Sequence, residues 1–439
     1  KNLFVAGAMV AEDAFAEKET SGLVKWWNLE LKDRTPAFGE KESLIPAAQI
    51  VRVARAMGKA APKCAVWMGP GAAMMPRGTY AAMAVYALNG LVGSIDAEGG
   101  VWEGAPGAPL AKFPSTEKFI DEVAKKGSKT GKKLDGRGTK DMPAMMGSAV
   151  NNVPNNMLKD PGAVKVLLAS WNNFNFSCTG ADRWDKAMAK VPFFVHMVTN
   201  PSEMTQFADI VLPSTFNSSE GWSIITNGSN GYSYASIQQN PIKRIFDAKQ
   251  EETEVVWLLA QKLKAKGFPN LADYYDEIKD PETGKSATTE LEFSEFAAKF
   301  TSAPIWMAKE APKGDAQIKS WAEFKAKGMF HGPRYTIKKG WGGKFKTETK
   351  KFEFYSETLK KRLTEHAKKH ETTTDDILAV SGYTARGDLA FVPHYEVPKR
   401  HGSMEDFPFT FIDYKSRLNR EGRSQNLPWY HEFKKVDPG

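Results

Sequence analysis

Residues 164–222 decide the fold and read VKVLLASWNNFNFSCTGADRWDKAMAKVPFFVHMVTNPSEMTQFADIVLPSTFNSSEGW. Three apolar runs, at residues 164–169, 193–198 and 208–213, each end at a polar turn or a proline. A helical stretch at residues 182–190 separates the first run from the second. Continuous apolar runs separated by a helix indicate buried parallel strands. The sequence therefore predicts an α/β fold with a doubly wound, mostly parallel sheet.

The polar turns after the first two runs, at residues 170–176 and 199–203, are the candidate ligand site. In parallel sheets, ligands bind beyond the carboxyl ends of the strands. Polar groups that follow a strand and precede a helix also suit an anionic phosphate. Consecutive strands joined by a right-handed crossover are usually neighbours. We therefore expect Asn172 and Asn200 to lie side by side at one edge of the sheet.

The composition is that of a soluble globular protein with two or more packed units. The chain has 439 residues, of which 41% are hydrophobic and 26% are charged. Its apolar runs are all far shorter than the ~20 residues that a membrane-spanning helix requires. The two cysteines, Cys64 and Cys178, stand alone without a CxxC motif, so the chain itself supplies no iron–sulfur cradle.

A basic segment at residues 124–140 contributes much of the net charge of +8. It could bind an acidic partner, an anionic lipid surface or nucleic acid. However, no aromatic residues are interleaved with its lysines, as stacking on bases would require. We expect a solvated, weakly ordered surface loop and no nucleic-acid partner.

The order of these elements resembles the molybdopterin oxidoreductases of the dimethyl sulfoxide reductase type. The segment ADIVLP at residues 208–213, followed by Glu220 and Gly221, is similar to the family's ADVVLP-like segment and acidic–glycine pair. KKFEFYS, at residues 350–356, resembles the strand that precedes the family's last domain.

The resemblance also implies how the domains are arranged along the chain. It implies an α/β core over residues 1–345, with surface excursions at 104–156 and 273–343. Residues 346–439 would begin a C-terminal barrel-like domain that binds the dinucleotide. The chain would then be an internal segment of a larger catalytic subunit.

The resemblance implies a site for a molybdopterin guanine dinucleotide at the two turns. Ser170, Trp171, Asn172 and Asn173 occupy the family's G-x-N-P loop. Serine or tryptophan replaces the glycine of that loop, and asparagine replaces its proline. Thr199 and Asn200 lie where family members usually carry an aspartate that pairs with guanine, so that bidentate contact is missing here.

Two loops near the end of the chain resemble family loops that contact the pterin and its phosphates. Arginine and lysine suit a pyrophosphate, and asparagine suits the donor–acceptor edge of the pterin. We expect these residues to converge on the cleft that contains Asn172. They are Tyr414, Lys415, Ser416, Arg417, Arg423, Ser424, Gln425 and Asn426.

By resemblance, the chain is part of the catalytic subunit of an oxidoreductase that holds molybdenum or tungsten on two molybdopterin guanine dinucleotides. The pattern is nearest the polysulfide, thiosulfate, tetrathionate and arsenate reductases, which implies reduction of a small inorganic sulfur compound or oxyanion in anaerobic respiration. The family's cluster cysteines and metal ligand have no counterpart here. We therefore expect the metal ligand and a [4Fe-4S] cluster outside this segment.

The resemblance further implies an iron–sulfur electron-transfer subunit and a membrane quinone-linked subunit as partners. It places the protein in the periplasm or on a membrane facing the periplasm. Two other hypotheses remain open. The chain could be a cofactor-free relative that serves as a scaffold in a respiratory complex, because the guanine-pairing aspartate is missing. An unrelated nucleotide-binding α/β enzyme would instead carry a G-x-G-x-x-G turn, and this sequence has none.

Overall fold

The structure is a computed structural model that describes residues 3–74, 78–102, 107–130, 133–143, 148–215, 221–227, 231–239, 241–244, 246–310, 312–314, 317–337, 345–397, 402–409, 426–433 and 435–436. Its strands are β1 (Thr20–Ser21), β2 (Leu167–Ser170), β3 (Phe194–Val198), β4 (Ile210–Pro213), β5 (Ser223–Asn227), β6 (Tyr232–Gln238), β7 (Met329–Arg334) and β8 (Phe352–Glu353). Its helices are α1 (Leu23–Leu29), α2 (Pro36–Ser43), α3 (Ala47–Ala60), α4 (Gly78–Leu91), α5 (Glu122–Thr130), α6 (Val153–Lys159), α7 (Phe174–Ser177), α8 (Ala181–Met188), α9 (Val256–Ala265), α10 (Asn270–Tyr275), α11 (Glu290–Trp306), α12 (Trp321–Lys327), α13 (Glu357–Lys369), α14 (Thr374–Val380) and α15 (Pro428–Phe433). None of the helices in these ranges is long and apolar enough to cross a membrane.

The described residues form two compact units that interleave along the chain. The first comprises those of Lys1–Glu103, Gly138–Gly147 and Thr336–Thr410, and the second comprises those of Gly104–Arg137, Ser148–Tyr335 and Phe411–Gly439. Residues on both sides of position 345 therefore build the first unit. The predicted division into a core over residues 1–345 and a last domain over residues 346–439 stays a prediction.

In the first unit, β1 pairs in parallel with β8 and brings the two distant segments together. Trp26 of α1 stacks on Phe354, just after β8, with ring centroids 5.4 Å apart. The indole nitrogen of Trp26 also donates to the carbonyl oxygen of Pro393 at 2.6 Å. The hydrophobic core that results continues into α13 and α14 through Leu363 and Ile377.

A buried pair of side chains, His394 and Glu396, lies inside the first unit. His394 Nε2 lies 2.9 Å from a carboxylate oxygen of Glu396, and His394 Nδ1 lies 2.9 Å from the carbonyl oxygen of Val392. The carboxylate also accepts the backbone N–H groups of Thr384 and Ala385. Burial acts to raise the pKa of Glu396, but these hydrogen bonds and His394 outweigh it and lower that pKa to about 2.

The second unit contains the parallel sheet that the sequence predicts. Its strand order is β2–β3–β4, and both pairs are parallel. Helices α6 and α8 cover one face through a core that includes Met157, Trp184 and Phe194. The α/β fold class is thereby confirmed.

The prediction that all three strands are buried is correct only for the central strand. Every residue of β3 is buried, whereas Leu168 of β2 and Ile210 of β4 are 54% and 42% exposed. These two strands lie at the edges of the sheet. An apolar run alone cannot show whether a strand is central or at an edge, because both kinds carry the same residue types.

A second sheet, β5–β6–β7, is antiparallel and was not predicted. Helices α11 and α12 pack against it through a buried core that includes Trp306, Trp321 and Phe324. The segment 273–343, which we expected to be a surface excursion, thus supplies two helices and a strand of the core. The charged residues of this segment had suggested exposure to water. Lys299 of α11 is nevertheless buried, because it pairs with Asp280 at 3.2 Å.

The expected surface excursion at 104–156 also contains ordered elements. Residues 122–130 form α5, whose described side chains are mostly exposed. Downstream, Asp135 is buried and accepts hydrogen bonds from Arg137 and from the backbone N–H of Ala149. The basic segment is therefore exposed as predicted in its first half, but it is helical there and anchored by a buried carboxylate further on. The barrel-like last domain stays a prediction, because residues 410–425 lie outside the described ranges.

Side chains from two elements leave no room for a Cβ atom at Gly221. A Cβ added at this position would lie 2.5 Å from Gln250 Oε1, 2.7 Å from Ser294 Oγ and 2.8 Å from Glu254 Oε1. Gly221→Ala should therefore lower the free energy of unfolding by roughly 1–3 kcal/mol, the usual cost of overpacking a well-filled site. Urea unfolding measures this. Gly58→Ala is the matched control, since nothing lies within 4 Å of its added Cβ, and equal stability of the two variants would contradict the prediction.

Glu396 should also make stability depend on pH at the acid end. Its folded pKa is about 2, so its contribution is complete above the unfolded value of about 4.3 and is lost as pH falls toward 2. The lost contribution is roughly 2–3 kcal/mol. Urea unfolding across this pH range should show a shallower decline for Glu396→Gln than for the wild type and for the exposed control Glu365→Gln. Identical declines in all three would contradict the assignment.

Candidate functional site

The parallel register of β2, β3 and β4 brings the two polar turns to one edge of the sheet. Ser170 is the partner of Met197, and Val198 is the partner of Pro213. The ladder continues for one residue past β2, because the backbone N–H of Trp171 donates to the carbonyl of Met197 at 3.0 Å. The prediction that Asn172 and Asn200 lie at the same edge is confirmed, and the cause is strand order rather than the turns themselves.

A small cleft lies between these turns and is called the turn cleft below. Its volume is about 30 Å³, far below the roughly 300–1,000 Å³ of pockets that hold a whole small-molecule ligand. It can therefore hold a polar edge or a single small group, and a larger ligand would extend out of it. It is lined by Trp171, Asn172, Asn173, Val198, Thr199, Asn200, Pro201, Ser202 and Asn426.

Most of the described residues that the sequence singled out border the turn cleft. Ser170 does not, because it completes the ladder of β2. Asn426 does, more than 200 positions after the other residues, as the sequence predicted. The remaining seven residues predicted from the last loops lie outside the described ranges and stay predictions. They are Tyr414, Lys415, Ser416, Arg417, Arg423, Ser424 and Gln425.

Glu203, the last residue of the second predicted turn, joins the two turns, although the sequence did not single it out. Its carboxylate oxygen Oε2 accepts the side-chain amide of Asn173 at 2.7 Å and that of Asn426 at 3.4 Å. Asn173 is buried, and its Oδ1 accepts the backbone N–H of Met204 at 3.2 Å. Burial acts to raise the pKa of Glu203, but the hydrogen bonds from these amides and its own backbone outweigh it and lower that pKa. Glu203 is therefore a carboxylate held ionised beside the cleft.

The sequence carried one signal that could have identified Glu203. Ser202 caps the short 3₁₀ helix Glu203–Phe207, and Thr205 completes a reciprocal capping pair with it. An acidic residue in the first turn of a capped helix is stabilised by the unpaired N–H groups there. That pattern indicates a fixed carboxylate, although it does not show that the carboxylate reaches the neighbouring turn.

His196 of β3 links the two turns through both of its ring nitrogens. It is completely buried in β3. Its Nε2 lies 2.9 Å from the carbonyl oxygen of Asn172, and its Nδ1 lies 3.0 Å from Thr205 Oγ1. Burial lowers the pKa of His196, so the neutral ring donates from Nε2 to Asn172 and accepts from Thr205. The ring thereby fixes the backbone of one turn against the other.

Trp171 begins the first turn with an unusual backbone conformation. Its φ is +57°, in the left-handed region that side-chain-bearing residues rarely adopt. The indole nitrogen lies 2.8 Å from both Ser214 Oγ and Glu251 Oε1. Glu251 is 3% exposed and begins the π-helical turn Glu251–Val255. The left-handed conformation, which glycine adopts without strain, thus falls at Trp171.

Comparison with known proteins agrees with this arrangement, although no protein-family model matches the chain. Over its whole length the chain is 53% identical to the arsenate respiratory reductase molybdopterin-containing subunit ArrA of Chrysiogenes arsenatis. It is 45% identical to the subunit of the same name from Shewanella sp. (strain ANA-3). The chain spans 52% of the length of each of these relatives.

A solved structure supports the fold independently. Acetylene hydratase from Pelobacter acetylenicus matches 89% of this chain with a TM-score of 0.53, and the match covers 48% of that protein. The sequence identity is 16%, so this likeness concerns the fold alone. It confirms the α/β fold class that the motifs indicated. The two relatives bear out the resemblance to the molybdopterin oxidoreductases of the dimethyl sulfoxide reductase type, over a segment about half as long as either arsenate reductase subunit.

Proposed function

We propose that this chain is part of the catalytic subunit of a molybdenum or tungsten oxidoreductase, and that the turn cleft binds one end of a molybdopterin guanine dinucleotide. The names of the two relatives support an oxyanion, arsenate, as the substrate in anaerobic respiration. The observation that carries the proposal is the contact of Glu203 with Asn173 and Asn426 at the carboxyl edge of the sheet.

The donors and acceptors at the cleft fit the guanine end of such a dinucleotide better than its phosphates. Guanine presents a carbonyl acceptor and N–H donors. The amides of Asn173, Asn200 and Asn426 can donate to the carbonyl, and the Glu203 carboxylate can accept from N–H groups. An ionised carboxylate disfavours an adjacent phosphate. We therefore assign the base to the cleft and the phosphates to the basic residues near Arg423.

The size of the cleft agrees with a base edge as its occupant. A cleft of about 30 Å³ admits the hydrogen-bonding edge of a ring but not a dinucleotide. The rest of the cofactor would extend along the edge of the sheet. When bound, its metal supplies oxygen-atom transfer and two-electron redox chemistry, whereas the residues of this chain bind and orient the organic part.

Electron transfer and location are part of the same proposal. A reductase in anaerobic respiration needs a route for electrons from a membrane quinol. We propose a [4Fe-4S] cluster elsewhere in the protein, an iron–sulfur subunit and a membrane quinone-linked subunit as that route. From the resemblance we also propose a location in the periplasm or on a membrane facing the periplasm.

The competing hypothesis of a cofactor-free scaffold was motivated by the missing guanine-pairing aspartate. Glu203 weakens that argument, because it supplies a carboxylate beside the cleft, in contact with Asn173 and Asn426. Elemental analysis of the purified full-length protein, with guanine nucleotide measured after acid hydrolysis, separates the two. We expect molybdenum or tungsten together with stoichiometric guanine nucleotide. Absence of both metal and guanine nucleotide would favour the scaffold.

A charge-removing variant tests the assignment of the base to the cleft. Glu203→Gln keeps the acceptor for Asn173 but loses the negative charge, so the cofactor should bind roughly 10- to 100-fold more weakly, as for lost hydrogen bonds to a charged group. Guanine nucleotide retained after dialysis measures the loss. Glu252→Gln, an exposed glutamate of the same unit, is the control. Full retention in Glu203→Gln would show that the carboxylate does not contact the base.

A further inference from the structure

The backbone of Trp171 is held in a conformation that glycine adopts without cost. Its φ of +57° lies in the left-handed region, where a Cβ atom crowds the neighbouring peptide. Such a conformation persists in a bulky residue only when the surrounding structure enforces it. The turn therefore needs a restraint that the backbone alone does not supply.

The restraint is a hydrogen bond shared between two buried acceptors. The indole N–H of Trp171 lies 2.8 Å from Ser214 Oγ and 2.8 Å from Glu251 Oε1. Ser214 and Glu251 are 8% and 3% exposed. One acceptor follows β4 and the other begins the π-helical turn, so three separate segments meet at the indole. Shielding from water strengthens these hydrogen bonds.

The second carboxyl oxygen of Glu251 makes this arrangement costly in free energy. Among the residues that the structure describes, Glu251 Oε2 is buried without a hydrogen-bond partner. Burial raises the pKa of Glu251, and hydrogen bonds from Ser214 and Trp171 offset this effect only in part. Burying such a group costs stability. A carboxyl group kept at that cost beside a strained loop residue indicates a role in the site rather than in the core.

The consequence of the restraint appears in the two residues that follow. The carbonyl of Asn172 points at His196 Nε2, 2.9 Å away, and the side chain of Asn173 contacts Glu203. Both contacts depend on the direction in which the chain leaves Trp171. A change of φ at that residue would turn Asn172 and Asn173 away from the cleft.

We infer that Glu251, together with Ser214, is a positioning residue that holds Trp171 in its left-handed conformation and so aims Asn172 and Asn173 into the turn cleft. In this chain a hydrogen-bonded side chain thus holds a left-handed conformation that glycine would adopt without strain. The inference rests on the proposed function for its biological meaning, since the cleft is where we place the guanine end of the cofactor. Its physical content, the dependence of the turn on Glu251 through Trp171, can be tested separately.

The test compares amide hydrogen exchange of residues 171–177 in the full-length protein and its variants. Glu251→Leu removes the acceptor and should speed exchange in this segment roughly tenfold, as expected when one hydrogen bond is lost. Glu251→Gln keeps an oxygen acceptor and should exchange like the wild type. Glu252→Leu changes an exposed neighbour on the same π-helical turn and is the control. Ser214→Ala, a smaller change to the same anchor, replaces Glu251→Leu if the latter does not fold.

A double variant shows whether Glu251 acts through the indole. Trp171→Gly removes both the strain and the anchor, so adding Glu251→Leu to it should leave exchange unchanged. Unaltered exchange in Glu251→Leu, or an equal increase in the presence and absence of Trp171, would overturn the inference.

Guanine nucleotide content, measured in the same samples, tests the proposed function independently. We expect the content to fall in Glu251→Leu and to stay at the wild-type level in Glu251→Gln. If exchange changes as expected but the nucleotide content stays constant, the positioning role stands. The assignment of the cofactor to this cleft would then be wrong.

Discussion

The parallel pairing of β3 with both β2 and β4 is the constraint on which the candidate site depends. It forces the carboxyl ends of the strands to one edge, so the turns after β2 and β3 must face each other. The burial of β3 stabilises this arrangement, because all five of its residues are shielded from water. Substitutions could change the conformation of either turn, but the two turns would stay close together as long as the strands remain paired.

Polar contacts then convert proximity into a defined cleft. His196 bonds to the carbonyl of Asn172 from below, and Glu203 bonds to the side chain of Asn173 from the side. Each contact joins the first turn to the second strand or its following turn. Because these groups are wholly or partly shielded from water, leaving one partner unpaired costs more than an exposed hydrogen bond would. The cleft is therefore preorganised, which suits binding of a rigid planar base.

Sequence reasoning identified the features that depend on local pattern. The runs at 164–169 and 193–198 predicted the strands, and the polar residues at their ends predicted the site. Glu203, though inside the predicted second turn, and Glu251 were not singled out, because their importance comes from residues that they contact 30 and 80 positions away. The left-handed conformation of Trp171 was equally inaccessible, since nothing in the sequence shows that Ser214 and Glu251 hold its indole. Segment 273–343 was misjudged because charged residues that pair internally look the same in sequence as charged residues that face water.

The central claim is that the turn cleft holds the guanine end of the cofactor. An experimental structure of the full-length protein, purified with its native cofactor, tests this most directly. The account predicts a guanine ring with its hydrogen-bonding edge within about 3 Å of Glu203 and of the amides of Asn173, Asn200 or Asn426. A bound dinucleotide whose guanine lies away from both turns, with the Glu203–Asn173 contact facing only protein or solvent, would contradict it.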